Sequence, residues 1–107
     1  MKRGDVVVVA LPGSLGKPRP AVIVQSDDYS ETSSVTVVPI TSTVAEGPLF
    51  RITLLPNGEN GPREPSQLMT EKLTTIPRSK IGQTIGTLDG PRLRQLTSHL
   101  ALFPGIA

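Results

Sequence analysis

The residues best suited to chemistry in this 107-residue chain begin with one arginine between two prolines. Arg19 follows Pro18 and precedes Pro20. Proline fixes its own φ angle and restricts the residue before it to an extended backbone. A permanently charged guanidinium on such a stiff main chain suits a phosphate or a developing oxyanion. The alternative is an ordinary surface arginine at the entry to a strand.

Two later segments add hydroxyls and a carboxylate. Thr41 and Ser42 directly follow an apolar run, and their hydroxyls could hydrogen-bond a phosphate or a sugar hydroxyl. Local turn hydrogen bonds are the alternative role for such hydroxyls. Glu71 could act as a general base if it is buried, or it could pair with an arginine. A solvated ion pair with the neighbouring Lys72 is the third possibility.

The composition excludes several kinds of site. There is no cysteine and only one histidine, so the chain can form no disulfide, thiolate metal site, cysteine nucleophile or histidine pair. The acidic residues Asp27, Asp28 and Glu31 lack the glycine and distal glutamate of a calcium loop. No metal and no cofactor are therefore expected, and His99 is predicted to be a half-buried packing residue.

The net charge, the aromatic content and the length of the apolar runs restrict the classes of partner that the protein could bind. A net charge of +2 is compatible with a polyanionic ligand. Three aromatic residues are too few for a binder that stacks several bases on aromatic platforms. The longest apolar runs, 6–11 and 21–24, cannot span a bilayer. Asp5 stands where a signal peptide needs apolar residues, so the expected location is the cytoplasm and no membrane partner is expected.

Short β-branched runs punctuated by glycine and proline predict a mainly β domain. The predicted strands cover residues 5–11, 19–25, 35–40, 49–55, 66–69 and 84–87. A single helical turn is predicted over 77–81, with Gly82 as its stop. Leucines at helical spacing after Pro91 predict one amphipathic helix over 91–103. Together these elements favour a small, strongly curved barrel or paired sheet with one late helix.

In this order, the segments resemble the MazF/PemK family of bacterial toxins. The resemblance runs nearly end to end, over about residues 2–105, and rests on segments 3–5, 19–24, 37–42, 66–81 and 85–88. It implies that residues 1–107 form a single MazF/PemK-like toxin domain. The implied fold is mainly β with one C-terminal α-helix, an SH3-like small barrel of the CcdB/MazF/PemK type.

The same resemblance implies an activity and partners. Members are typically the toxin component of a type II toxin–antitoxin system. They cleave single-stranded RNA at short sequences without a metal, through attack by a ribose 2′-hydroxyl, and leave a 2′,3′-cyclic phosphate and a 5′-hydroxyl. The implied assembly is a homodimer, and the implied partner is a cognate antitoxin whose acidic disordered tail blocks the RNA groove.

Carried onto this sequence, the resemblance assigns three catalytic residues. Arg19 matches the catalytic arginine, Thr41 matches the catalytic hydroxyl, and Glu71 stands where some members carry an acid implicated in proton transfer. The loop before Arg19 is shorter than in many members and has no glutamate. The residues predicted to contact RNA are Lys17, Ser42 and Lys72.

Two alternatives of different kinds stay open. A CcdB-like gyrase poison of the same fold is non-catalytic and usually ends in a bulky aromatic, whereas this chain ends without tryptophan after Phe103. An inactive regulator would only bind the antitoxin. The retained Arg19 and Thr41 argue against that second alternative.

Overall fold

β-Branched runs form the strands of the computed structural model, which describes residues 2–10, 17–26, 32–43 and 51–102. Two 3₁₀ turns, Thr70–Lys72 and Arg78–Lys80, flank the sixth strand. The strands and the helix within these ranges are β1 (Asp5–Ala10), β2 (Pro18–Ile23), β3 (Ser34–Thr41), β4 (Arg51–Leu54), β5 (Ser66–Met69), β6 (Thr74–Pro77), β7 (Ile81–Thr87) and α1 (Gly90–Leu102).

All of these strands pair antiparallel in one sheet with the order β4-β5-β3-β2-β1-β7. β3 carries two partners along one edge, because β6 pairs with residues Ser34 to Val37 and β5 pairs with Ile40 and Thr41. Because β3 pairs with β6 at one end and with β5 at the other, the sheet curves around its core. The ladder stays open between β4 and β7 among the described residues. The predicted fold class, a small barrel-like β domain with a C-terminal helix, is confirmed.

The central strands are buried on both faces, which explains their continuous apolar runs. Val6 points into one core cluster, which includes Val22, Val38 and Leu68 and lies under α1. Its neighbour Val7 points the other way, into a second cluster that β3 and β6 complete. A strand with only one buried face would alternate apolar and polar residues instead.

The helix begins as its sequence indicates. The Asp89 carboxylate accepts a hydrogen bond from the Arg92 backbone N–H at 3.3 Å, and Pro91 occupies the first turn. Leu96 is fully buried in the first core cluster, and Leu93 and Leu100 pack beside it. Burial of a leucine side chain of this kind contributes about 1.5–3 kcal/mol. His99 is half-buried on this helix.

The predicted helical turn over 77–81 is partly wrong. Only Arg78–Lys80 form a 3₁₀ turn, and Pro77 is the last residue of β6, a strand that the sequence analysis missed. Gly82 does not end a helix, because β7 already begins at Ile81. Ile76 alone is buried in β6, so four residues gave too short a pattern to read. The predicted positions Leu11, Leu49, Phe50 and Phe103, the short loop before Lys17, and Asp27, Asp28 and Glu31 lie outside the described residues.

The segment between β4 and β5 is fastened to the opposite edge of the sheet. The Asn57 side-chain oxygen accepts hydrogen bonds from the backbone N–H groups of Glu59 and Asn60, both at 2.9 Å. The Glu59 carbonyl in turn accepts one from the Thr87 N–H at 2.8 Å. A Cβ atom on Gly86 would lie 2.5 Å from the Glu59 carbonyl oxygen, so only glycine permits this approach. The segment is therefore held against β7.

Candidate active site

The strand register brings Arg19 and Thr41 side by side. β2 and β3 pair as Ala21 with Pro39, Val22 with Val38 and Ile23 with Val37. Continuing this register two residues beyond Ala21 puts Arg19 opposite Thr41. On the far side of β3, Thr41 pairs with Gln67 of β5. A row across three strands therefore carries a guanidinium, a hydroxyl and an amide.

Arg19 is held by its backbone and leaves its charge exposed. It pairs with Val9 of β1, and its two proline neighbours pair with Val8 and Ala10 of the same strand. The side chain itself is exposed. A rigid main chain with an accessible guanidinium is the arrangement that a phosphate ligand needs, because less motion is lost when the anion binds.

Thr41 ends β3 with its side chain half-buried. Its hydroxyl oxygen accepts a hydrogen bond from the Thr43 backbone N–H at 3.1 Å. That bond uses a lone pair and not the hydroxyl proton. The Thr41 hydroxyl therefore does form the local turn hydrogen bond that the sequence offered as an alternative. This bond orients the hydroxyl, and its O–H remains able to donate to a ligand.

A cleft of about 230 Å³ joins the two residues, and we call it the Arg19–Thr41 cleft. Of the six residues predicted for the site, Arg19, Thr41 and Ser42 line it. One wall is formed by Pro62, Arg63 and Glu64 of the segment between β4 and β5, together with Ser66, the first residue of β5.

This wall was not predicted from the sequence, because residues 56–65 fall between the predicted strands 49–55 and 66–69 and were assigned no role. One signal was present. Arg63 and Glu64 stand between Pro62 and Pro65, a charged pair between two prolines, as Arg19 is a single charge between Pro18 and Pro20. That similarity alone does not tell which strands the segment approaches, which depends on its contacts with β5 and β7.

The other predicted residues lie outside the lining of this cleft. Glu71 forms an ion pair with Arg51, with Nη2 to Oε2 at 2.9 Å and Nε to the same oxygen at 3.0 Å. Pairing with an arginine was one of the alternatives that the sequence left open for Glu71. The Glu71 side chain is 31% exposed. Lys72 and Lys17 are exposed, Lys17 directly before β2.

Arg51 links this ion pair to the row of residues across the strands. Its Nη1 donates to the Gln67 side-chain oxygen at 3.4 Å, and Gln67 is buried opposite Thr41. Glu71 therefore reaches the cleft only through Arg51 and Gln67. A partly exposed ion pair of this kind contributes only about 0.2–1 kcal/mol to stability. Its main effect is therefore to orient the Arg51 side chain toward Gln67.

A second concavity on the described surface is less suited to an anion. It lies beside α1 and is lined by Leu93, Arg94 and Thr97 together with Arg3. The Arg3 guanidinium already donates to the Val24 carbonyl and to the Thr97 hydroxyl. Arg3 is thus committed to fixing the chain before β1 against α1.

The described ranges contain no helix long and apolar enough to cross a membrane. Nor do histidine, aspartate and glutamate side chains gather there in threes around a point where a metal ion could bind. The polar groups that line the Arg19–Thr41 cleft are guanidinium, hydroxyl and carboxylate groups.

Comparison with known proteins agrees with this architecture. Residues 2–103 match the family described as PemK-like, MazF-like toxin of type II toxin–antitoxin system. This chain belongs to the PemK/MazF toxin family. The resemblance that the sequence segments indicated is therefore confirmed over almost the whole chain.

Two curated PemK/MazF relatives cover nearly the same length. The chain is 41% identical over 108 residues to the probable endoribonuclease MazF of Mycolicibacterium smegmatis, an alignment that covers 100% of this chain and 99% of the relative. It is 30% identical over 112 residues to endoribonuclease MazF9 of Mycobacterium tuberculosis, covering 95% and 94%. Both names describe ribonucleases, and neither describes a gyrase poison.

Solved structures share the fold. The M. tuberculosis toxin MazF-mt6 superposes with a TM-score of 0.76 at 27% identity, over 89% of this chain and 90% of that one. An endoribonuclease in complex with its cognate antitoxin, from a mycobacterial species, gives a TM-score of 0.80 at 17% identity, over 100% and 97% of the two chains. The second likeness supports the fold alone.

Proposed function

We propose that this protein is a sequence-preferring endoribonuclease that cleaves single-stranded RNA at the Arg19–Thr41 cleft, as the toxin of a type II toxin–antitoxin system. The observation that carries the proposal is the convergence of an accessible guanidinium and an oriented hydroxyl in one cleft of the PemK/MazF fold. Both curated relatives, which match along almost their full lengths, are named as endoribonucleases.

The cleft residues suit cleavage by the RNA's own 2′-hydroxyl. The 2′-oxygen bonds to the adjacent phosphorus, the P–O5′ bond breaks, and the products are a 2′,3′-cyclic phosphate and a 5′-hydroxyl. Arg19 neutralises the charge that grows on the phosphoryl oxygens in the transition state. Thr41 donates a hydrogen bond from its hydroxyl to a phosphate oxygen and so keeps the phosphorus in line with the 2′-oxygen. No metal enters this scheme.

The reaction also needs a group that accepts the 2′-hydroxyl proton. Glu71 is the carboxylate that the sequence predicts for this step, and that role stays a prediction. Its ion pair with Arg51 competes with the role, because a carboxylate held by a guanidinium is a weaker proton acceptor.

One hydroxyl and several cationic side chains in and around the cleft are proposed to hold the RNA strand. Ser42 and Arg63 line the cleft, and the exposed Lys17 and Lys72 would contact flanking phosphates. Each such contact adds salt-dependent affinity that is independent of base sequence. With three aromatic residues in the chain, bases would be read mainly by polar and main-chain groups.

The proposed partners follow from the same cationic cleft. An antitoxin with an acidic disordered tail would compete with RNA for Arg19 and its neighbours, and a structural relative has been solved with its cognate antitoxin. We further propose a homodimer acting in the cytoplasm, where single-stranded transcripts are available.

Incubation of the purified protein with a long single-stranded transcript tests the proposed function. We expect discrete cuts, unchanged by EDTA, whose 5′ fragments end in a 2′,3′-cyclic phosphate and whose 3′ fragments begin with a 5′-hydroxyl. Aligning the cut positions gives the recognised sequence. An intact transcript in the presence of folded protein, or cuts that EDTA abolishes, would contradict the proposal, and inhibition of gyrase would then favour the non-catalytic alternative.

A further inference from the structure

We propose that Glu64 is the catalytic residue that accepts the 2′-hydroxyl proton, an inference that rests on the proposed function and deepens it. In the step, the proton moves from the 2′-oxygen to the Glu64 carboxylate while the P–O2′ bond forms and the P–O5′ bond breaks. The leaving 5′-oxygen takes up a proton from solvent. The position of Glu64, its fixed backbone and the partners of the other carboxylates support this assignment.

Glu64 is the one carboxylate among the residues that line the Arg19–Thr41 cleft in the described structure. It belongs to the segment between β4 and β5 that forms one wall of this cleft, next to Arg63, and it is exposed. A carboxylate close to a phosphate would normally be repelled by it, and the two arginines of the cleft offset that repulsion. A base on this wall can approach the sugar while Arg19 holds the phosphate.

The main chain at Glu64 is fixed on its C-terminal side. Pro65 restricts Glu64 to an extended backbone. The Ser66 hydroxyl donates to the Glu64 carbonyl at 2.9 Å, and Ser66 is itself buried at the start of β5, paired with Leu54 of β4. Ser66 stands one residue before Gln67, the cross-strand partner of Thr41. Glu64 is thereby tied to the strand that also pairs with Thr41.

The same segment is also fixed on its N-terminal side. Residues 57–61 are held by the Asn57 turn and by the hydrogen bond from the Thr87 N–H to the Glu59 carbonyl. Gly61 adopts a φ of +95°, and a Cβ atom added there would lie 3.1 Å from the Ile85 side chain of β7. With both ends anchored, the Glu64 side chain is presented from a fixed backbone, which is what a general base requires for alignment.

The other carboxylates in the described ranges either have partners of their own or lie outside the cleft lining. Glu71 is paired with Arg51, Asp89 caps α1, and Asp5 accepts a hydrogen bond from the Lys2 backbone N–H at 2.9 Å. Glu59 belongs to the same segment as Glu64 but does not line the cleft. Glu59 therefore provides a matched control for Glu64.

Single-turnover cleavage by three glutamine variants tests the assignment. We expect Glu64→Gln to slow cleavage by about 10²–10⁴-fold, the usual contribution of a general base. Glu59→Gln should cleave like the wild-type protein. Glu71→Gln should lose less than Glu64→Gln, because it removes an ion pair beside Gln67 rather than the proton acceptor.

Two further readouts separate a base from a residue that only shapes the cleft. The affinity for an RNA analogue with 2′-deoxyribose at the cut site should be unchanged or tighter in Glu64→Gln, since a negative charge near the phosphate is removed. A general base also predicts that the wild-type rate falls at acid pH, and this fall should persist in Glu64→Asp and disappear in Glu64→Gln. Equal thermal midpoints would show that each variant is folded.

The outcomes distinguish this inference from the proposed function. Cleavage by Glu64→Gln within about threefold of wild type, or a larger loss in Glu71→Gln, would overturn the assignment and leave the ribonuclease proposal standing. Weakened analogue binding with an unchanged pH profile would also overturn it. If the wild-type protein cuts no RNA, both proposals fail together.

Discussion

Substitution of Arg19 by alanine should slow RNA cleavage by about 10²–10³-fold without unfolding the protein. The guanidinium is exposed at the cleft and serves no core contact, so its loss removes transition-state stabilisation rather than packing. The effect should fall on the rate at saturating protein, measured under single-turnover conditions on a short RNA that contains the recognised sequence. A thermal midpoint close to wild type should accompany it.

Arg92→Ala is the matched control for Arg19→Ala. Arg92 is an exposed arginine in the first turn of α1, and its side chain donates a hydrogen bond to the Gln95 side-chain oxygen at 3.3 Å. It should cleave at the wild-type rate. Arg19→Lys should recover part of the lost rate, because an ammonium keeps the charge without the planar fork. Wild-type cleavage by a folded Arg19→Ala variant would refute the role given to Arg19.

Thr41→Val should lower the cleavage rate by about 10²-fold, the typical cost when a reacting group is misplaced. Valine keeps nearly the same volume at the end of β3 and removes only the hydroxyl. The Thr43 N–H loses its acceptor, and since Thr43 is exposed, water can replace it at little cost in stability. Thr41→Ser should retain most of the activity because it keeps the hydroxyl.

Thr53→Val provides the matched control for Thr41→Val. Thr53 is exposed on β4 and also pairs with Gln67, so it has the same residue type and the same cross-strand neighbour. It lies outside the cleft lining and should leave the rate unchanged. Equal losses in the two valine variants would mean that the strand row, and not the Thr41 hydroxyl, controls activity.

Much of this fold could be predicted because its strongest signals are local. The valine run of β1 and the leucines of α1 are long enough for β-branching and helical spacing to be unambiguous. β6 was missed because its four residues bury only Ile76 and end in Pro77, which also suits the start of a helical turn. Pairing with β3, more than thirty residues earlier in the chain, makes it a strand.

In the candidate site, too, only the residues that are marked by local sequence could be predicted. Arg19 and Thr41 could be selected because each is marked by its neighbours in the chain. Their adjacency depends on the β2–β3 register, which no local pattern specifies. Glu64 could not be found from the sequence, because only the contacts of its segment with β5 and β7 bring it to the cleft. The Arg51 partner of Glu71 likewise comes from β4, twenty residues earlier in the chain.

The proposed mechanism depends on one atom of the substrate, the ribose 2′-oxygen at the cut site. Two short RNAs with the recognised sequence would be compared, one natural and one carrying 2′-deoxyribose only at the nucleotide 5′ to the cut. We predict that the protein binds both with similar affinity and cleaves only the natural one, because the attacking oxygen is missing from the other. Cleavage of the deoxy-substituted strand at a comparable rate would contradict the mechanism.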